Sequence, residues 1–172
     1  MLVKMWLITN REGVYESGDE MRVIAYTDGA ANNARPLPER AGGWAVVMMC
    51  VDDQGQLDPR DGAYKELSGG VPSATNNQME LEAIHQALLA LKGQGVSITI
   101  VSDSSYAIGA LSKGWKLKEN IPQVRTIQAL MRLHHVTFDL VKGHAGVQYN
   151  ERADVLAVEQ RLIGEHAVKE MS

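Results

Sequence analysis

Val96-Ser-Ile-Thr-Ile-Val-Ser-Asp103 is the stretch that decides the fold of this chain. Its first seven residues are uncharged and mostly β-branched, which is typical of a short strand buried on both faces of a sheet. The spacing of apolar residues predicts a helix before it, over residues 75–92, and a short helix after it, over residues 104–111. A buried strand between two helices indicates an α/β domain.

The elements around this stretch extend the pattern to a whole domain. Three apolar runs separated by Gly- and Pro-containing turns predict an antiparallel meander over residues 23–27, 44–51 and 64–68. After the buried strand, the sequence predicts a helix at about 122–134, a strand at 136–141 and a last helix at about 149–166. The order βββαβααβα predicts an α/β fold with a five-stranded mixed sheet and helices on both faces.

The chain divides into a predicted domain and a short upstream segment. Residues 22–168 contain all the elements described above. Residues 1–21 form a predicted N-terminal extension, which either makes a hairpin around residues 10–13 or is loosely attached to the domain.

Composition excludes several classes of protein. The 172 residues are 45% hydrophobic and 22% charged, which suits one compact domain and argues against a disordered chain. No apolar run approaches the length of a membrane span, and Cys50 is the single cysteine, so a disulfide framework is excluded. We therefore expect a cytoplasmic monomer that makes no membrane contact. The net charge of −4 does not decide whether the chain binds nucleic acid.

Four acidic residues occupy positions where apolar residues are expected. Asp28 and Asp103 come where apolar strands are predicted to end, and Glu80 and Asp154 share the inner faces of helices. A surface charge remains the better interpretation for Glu82, which points away from the face that contains Glu80. Helix capping or an Asx-turn would explain either aspartate alone, but these alternatives account poorly for four acids together.

Clustered carboxylates have a specific chemical use. Buried acids are costly unless they bind a cation, and Mg²⁺ prefers oxygen ligands in octahedral geometry. Two such ions about 4 Å apart stabilise the attacking and leaving oxygens of an in-line phosphoryl transfer. The four acids therefore predict a divalent-metal site for phosphate chemistry.

Five segments, four of which contain these acids, resemble type 1 ribonuclease H, the family that cleaves the RNA strand of RNA–DNA hybrids. They occur in the family's order between about residues 22 and 160, which makes the resemblance specific. The segments are Tyr26-Thr-Asp-Gly29, Thr75-Asn-Asn-Gln-Met-Glu-Leu81, Val101-Ser-Asp-Ser-Ser-Tyr106, Val141-Lys-Gly-His-Ala-Gly146 and Asn150-Glu-Arg-Ala-Asp154. The resemblance implies a ribonuclease H-like fold.

The resemblance also implies catalytic roles. Asp28, Glu80, Asp103 and Asp154 match the family's metal-binding and catalytic carboxylates, which hold two Mg²⁺ ions during catalysis, with Mn²⁺ as a substitute. His144 matches the family's loop histidine, which assists proton transfer or product release. Glycines on both sides of His144 would allow the loop to move the imidazole toward the scissile phosphate.

The resemblance also implies substrate-binding residues. Thr75 and Asn76 would bind a phosphate of the DNA strand, and Asn77 would contact the RNA strand. Capping of the helix that follows is the alternative role for these residues. Three further candidates lie near the predicted site, and they are Asn33, Ser104 and Asn150.

One part of the chain departs from the family pattern. Many bacterial members have an extra basic helix and loop that bind the hybrid, whereas here only Lys113-Gly-Trp-Lys-Leu-Lys118 occupies that place. Trp115 could stack on a sugar beside the lysines, or it could pack at the end of a helix with the lysines in solvent. Weaker or more salt-sensitive substrate binding is expected.

The leading hypothesis is a metal-dependent endonuclease that hydrolyses the RNA strand of RNA–DNA hybrids and leaves 5′-phosphate and 3′-hydroxyl ends. A resolvase-like or transposase-like nuclease acting on DNA would use the same fold and metal site. A non-catalytic module that binds hybrids is disfavoured because all four carboxylates are present.

Overall fold

The computed structural model describes residues 22–37, 39–58, 63–142 and 148–170. Within these residues the chain forms five strands and four helices in the predicted order βββαβααβα. The strands are β1 (Arg22–Ala31), β2 (Gly42–Val51), β3 (Tyr64–Val71), β4 (Ser97–Ser102) and β5 (His135–Leu140). The helices are α1 (Asn76–Leu89), α2 (Ser105–Ser112), α3 (Ile121–Met131) and α4 (Gln148–Glu170). The predicted extension, residues 1–21, lies outside the described residues.

The five strands form one mixed sheet with the order β3-β2-β1-β4-β5. β1, β2 and β3 pair in antiparallel fashion, as the predicted meander requires. β4 pairs in parallel with β1 on one side and with β5 on the other. The uncharged β4 is therefore an interior strand, which explains its apolar composition.

The two faces of the sheet bury separate hydrophobic cores, and β2 contributes to both. Val46 and Met48 point toward the core that contains α1, whereas Ala45 and Val47 point toward α4. This alternation follows from the two-residue period of a strand. The prediction of helices on both faces of the sheet is confirmed.

Helix α4 lies very close to the sheet because glycine occupies the point of contact. A Cβ atom added at Gly43 would lie 2.1 Å from the backbone oxygen of Ala157. No residue larger than glycine fits there without movement of α4. Among the helices that the structure describes, none has the length and apolar character needed to cross a membrane.

Several predicted boundaries were wrong by a few residues. β1 continues four residues beyond Thr27, because its antiparallel pairing with β2 runs to the pair Ala31–Gly42. At the other end of the chain, α3 stops at Met131 and α4 continues to Glu170. The extension of β1 matters for the site, because it places Asp28 inside the strand.

Candidate active site

Asp28 and Asp103 meet where the parallel part of the sheet ends. The parallel pairing of β1 with β4 stops at the pair Tyr26–Val101, while β1 continues beside β2. Asp28 therefore lies inside β1, not at its end as predicted, but it is beyond the part that β4 covers. Asp103 directly follows Ser102, the last residue of β4. The two carboxylates consequently share one edge, which is where open α/β sheets place their sites.

Glu80 reaches the same edge from α1, which packs against β1. A Cβ atom added at Gly29 would lie 2.2 Å from the backbone nitrogen of Glu80, so only glycine permits this approach. Glu80 is 5% exposed. Glu82 faces elsewhere, as predicted, but it is half-buried and accepts hydrogen bonds from Gln86 and Gln123 rather than lying free in solvent.

The three carboxylates are close enough to bind one cation together. One oxygen from each of Asp28, Glu80 and Asp103 lies within 4.8 Å of the other two. Asp154, on α4, is half-buried and lies outside this trio, yet its carboxyl is in hydrogen-bonding contact with that of Asp28. We refer to these four residues as the acidic cluster.

Burial and mutual repulsion raise the pKa values of two carboxyls in the cluster. Burial raises the pKa of Asp28 to about 7, and the negative charge of Asp103 adds to the effect. The backbone N–H of Gly29 donates to Asp28 Oδ1 at 2.7 Å and offsets part of this rise. Burial also raises the pKa of Glu80 well above its usual value, with further contributions from Asp28 and Asp103.

The donor set fits a hard divalent cation. Asn76 Nδ2 donates to Glu80 Oε1 at 3.4 Å. The other oxygen, Oε2, is buried and has no hydrogen-bond partner among the described residues. Asn150 Oδ1 is also buried and has no hydrogen-bond partner among the described residues. Unpaired buried oxygens are unfavourable, and carboxylate and amide oxygens are the ligands that Mg²⁺ and Mn²⁺ prefer.

The start of α1 combines capping with a link to the cluster. Thr75 is the N-cap: its side chain accepts from the backbone of Gln78, whose side chain accepts in turn from the backbone of Thr75. Asn76 accepts from the backbone N–H of Ala31 at 3.1 Å and so connects the helix to the extended end of β1. Asn77 is exposed. Thr75 therefore caps the helix, as the alternative interpretation proposed. Asn77 takes no part in this capping and is accessible to solvent.

The remaining predicted substrate contacts differ in burial. Ser104 is the N-cap of α2 and accepts from the backbone of Ala107. Asn33 is exposed in the turn after β1, whereas Asn150, on the first turn of α4, is 4% exposed. His144 lies outside the described residues, so its role stays a prediction.

Trp115 packs on α2 and is also accessible. A Cβ atom added at Gly109 would lie 2.5 Å from its ring, so the indole lies directly over that glycine. Its exposed fraction is nevertheless 48%, and the flanking residues Lys113, Lys116 and Lys118 are exposed. The structure thus supports the packing interpretation and leaves the other side of the ring open to solvent.

Two contributions to the site escaped the sequence analysis. The first is Gly29, which sets the distance between Glu80 and β1. The Asp-Gly pair inside an otherwise β-branched stretch was a signal for close backbone approach. The second contribution is the bond from the backbone of Ala31 to Asn76, for which the sequence offers no signal.

Comparison with known proteins agrees with this architecture. The family model described as RNase H matches residues 20–161 of the chain. The ribonuclease H of Chlorobium phaeobacteroides strain BS1 is 38% identical over 154 residues, which cover 81% of this chain and 95% of the relative. The ribonuclease H of Chlorobaculum parvum is 37% identical over 167 residues, which cover 89% of this chain and 99% of the relative.

Solved structures show the same fold. The N-terminal RNase H domain of a Mycobacterium tuberculosis protein, fused to maltose-binding protein, matches with a TM-score of 0.68 at 18% identity, covering 86% of this chain and 99% of that chain. LC9-RNase H1, described as a type 1 RNase H with the type 2 active-site motif, matches with a TM-score of 0.64 at 26% identity, covering 80% and 70%. The chain belongs to the ribonuclease H family of hydrolytic endoribonucleases, as the resemblance predicted.

Proposed function

We propose that this protein hydrolyses the RNA strand of RNA–DNA hybrids as a metal-dependent endonuclease and leaves 5′-phosphate and 3′-hydroxyl ends. The observation that supports this most directly is the acidic cluster, in which three carboxylates converge within 4.8 Å and Glu80 Oε2 is buried without a partner. Family membership supplies the substrate class.

The acidic cluster would hold the catalytic ions. When bound, a pair of Mg²⁺ ions, or Mn²⁺ in their place, makes water a better nucleophile and neutralises the charge that develops on the leaving oxygen. Asp28 and Asp103 would contribute ligands from the sheet edge, and Glu80 and Asp154 would contribute ligands from the two helices. Ionisation of Asp28 is part of metal binding, because its raised pKa of about 7 leaves it partly protonated at neutral pH.

The substrate would lie across the start of α1 and the loop after α2. The first backbone N–H groups of a helix have no acceptor within the helix, so they suit a phosphate. We place a DNA-strand phosphate at Thr75 and Asn76 and the RNA strand at Asn77, with further contacts from Asn33, Ser104 and Asn150. The exposed face of Trp115 and its neighbouring lysines would contact the sugar and phosphates of the hybrid.

The proposed role of His144 is proton transfer or product release beside the cluster. We propose residues 22–168 as the catalytic domain, because every element of the sheet and α1 to α4 begins at or after Arg22. The monomeric state and the cytoplasmic location stay predictions.

Cleavage assays with Asp103→Asn test the proposed function. The wild-type protein should cleave a labelled RNA–DNA hybrid in Mg²⁺ and leave duplex RNA, single-stranded RNA and duplex DNA intact. Asp103→Asn removes a ligand charge and should lower the rate by roughly a thousandfold or more, with an unchanged far-UV circular dichroism spectrum.

Four outcomes would contradict the proposal. Full activity of Asp103→Asn, or activity of the wild-type protein in EDTA, would reject the metal mechanism. Comparable cleavage of duplex DNA would favour a resolvase-like nuclease. Stabilisation by metal with no turnover of any substrate would indicate a binding module.

A further inference from the structure

We propose that Tyr64, Glu66 and Arg152 form a clamp between β3 and α4 that positions Asp154 for metal binding. The inference rests on the proposed function, because it takes Asp154 as a metal ligand. We refer to these three residues as the β3–α4 clamp.

The contacts of the clamp are short and directional. Arg152 donates to both carboxylate oxygens of Glu66, from Nε to Oε1 and from Nη2 to Oε2, each at 2.9 Å. The hydroxyl of Tyr64 donates to Glu66 Oε1 at 2.7 Å. A bidentate arginine–carboxylate pair fixes orientation as well as distance, unlike a single surface ion pair. The hydrogen bonds from Arg152 and Tyr64 stabilise the ionised form and lower the pKa of Glu66.

Aromatic packing also fixes the start of α4. The ring of Tyr149 lies between Tyr26 of β1 and Tyr64 of β3, with centroid distances of 5.6 Å and 6.1 Å. Such distances are typical of favourable aromatic pairs. The first turn of α4 is therefore held by two strands at once.

The strand register connects the clamp to the acidic cluster. Glu66 pairs with Val47, which pairs with Tyr26, so these residues form one row across the sheet. Asp28 lies two residues further along β1 and points to the same face as Tyr26. On the helix above, Asp154 lies two residues after Arg152. The clamp therefore acts two residue pairs along the sheet from Asp28, which Asp154 contacts.

The start of α4 needs such a restraint because Asp154 lies against a like charge. Its carboxyl contacts that of Asp28, and two carboxylates repel each other when both are ionised. Helix ends also fray readily, because their first N–H groups lack partners within the helix. The close contacts of α4 with Gly43 begin at Ala157, nearly one turn beyond Asp154, and continue at Gln160 and Arg161. The clamp opposes the displacement that repulsion would cause.

Titration of the intact protein with Mn²⁺ tests the clamp without substrate. Free Mn²⁺ is measured by electron paramagnetic resonance for the wild type, Glu66→Gln and Arg152→Gln. Loss of groups that orient metal ligands weakens metal binding by about 10- to 100-fold. The clamp acts on Asp154 indirectly, through the position of α4, so we expect an effect at the lower end of this range. The Mn²⁺ dissociation constant should rise about tenfold. The KM for the hybrid should stay within about twofold of the wild-type value, because the main proposed substrate contacts, Thr75, Asn76 and Asn77, lie at the start of α1 rather than on α4.

Two further variants separate positioning from general stability. Arg152→Lys keeps the charge but loses the bidentate geometry, so it should restore part of the Mn²⁺ affinity. Arg161→Gln breaks the ion pair with Glu165 further along the same helix and should lower the melting temperature without changing Mn²⁺ affinity. It serves as the matched control.

Failure of the proposed function and failure of the clamp would give different results. A wild-type protein that neither binds Mn²⁺ nor cleaves the hybrid would reject the proposed function and the clamp with it. An active wild type, together with an unchanged Mn²⁺ dissociation constant in Glu66→Gln and Arg152→Gln, would reject the clamp alone. Equal losses of Mn²⁺ affinity in these variants and in Arg161→Gln would show that only helix stability matters, and would also reject it.

Discussion

Replacement of Asp28 by asparagine is expected to stabilise the metal-free protein at neutral pH. Asp28 is 8% exposed. Burial, with the charges of Asp103 and Asp154, raises its pKa from 3.8 to about 7. A group with a higher pKa in the folded state binds more protons when folded than when unfolded. Its contribution to stability is therefore greatest below the unfolded value and is lost as the pH rises through the folded value.

The magnitude follows from the size of the pKa difference. One pKa unit corresponds to about 1.4 kcal/mol, so a rise from 3.8 to about 7 costs the ionised wild-type protein about 4 kcal/mol near pH 8. Water that enters the metal-free site screens part of this cost, so we expect Asp28→Asn to gain about 2 to 4 kcal/mol. Near pH 4 the folded protein is protonated at this site, and the gain should fall below about 1 kcal/mol. The asparagine side chain can still accept the hydrogen bond from Gly29.

The assay is urea unfolding in EDTA, followed by far-UV circular dichroism near pH 4 and pH 8. Asp53→Asn, at an exposed position in the turn after β2, is the control and should change the free energy of unfolding by less than about 0.5 kcal/mol at either pH. A loss of stability in Asp28→Asn near pH 8 would refute the reasoning. An equal gain at both pH values would also refute it, because the effect would then not arise from ionisation.

Two further substitutions probe the start of α1 and its contact with β1. Gly29→Ala would place a Cβ atom 2.2 Å from the backbone nitrogen of Glu80. We expect a loss of roughly 3 kcal/mol or more in thermal denaturation, together with loss of hybrid cleavage; wild-type cleavage would contradict the close approach. Thr75→Ala removes the capping box and should cost about 1 kcal/mol while raising the KM for the hybrid. The control Thr126→Ala, on α3, should leave KM unchanged, and an unchanged KM in Thr75→Ala as well would limit Thr75 to capping.

Helix phase and strand composition predicted much of the candidate site. The three-to-four-residue period of α1 separated Glu80 from Glu82, because the face of a helix on which a residue lies follows from its position in the sequence. The uncharged residues of β4 predicted an interior strand, which the parallel pairing on both sides confirms. Element boundaries were less predictable. β1 extends past Asp28 because it forms hydrogen bonds to β2. Such pairing cannot be predicted from the local sequence of either strand.

The sequence by itself determined the order of elements, the family and the four acids, since each depends on residue types within short segments. Tertiary structure alone decided how close the acids lie, that Glu80 Oε2 has no partner among the described residues, and that Arg152 bonds Glu66 across 86 positions of the chain. These features depend on strand register and on the approach of a helix to glycine, both of which are set by packing between distant segments. The carboxylates were readable from the sequence, but their raised pKa values arise only when the fold removes water and brings like charges together.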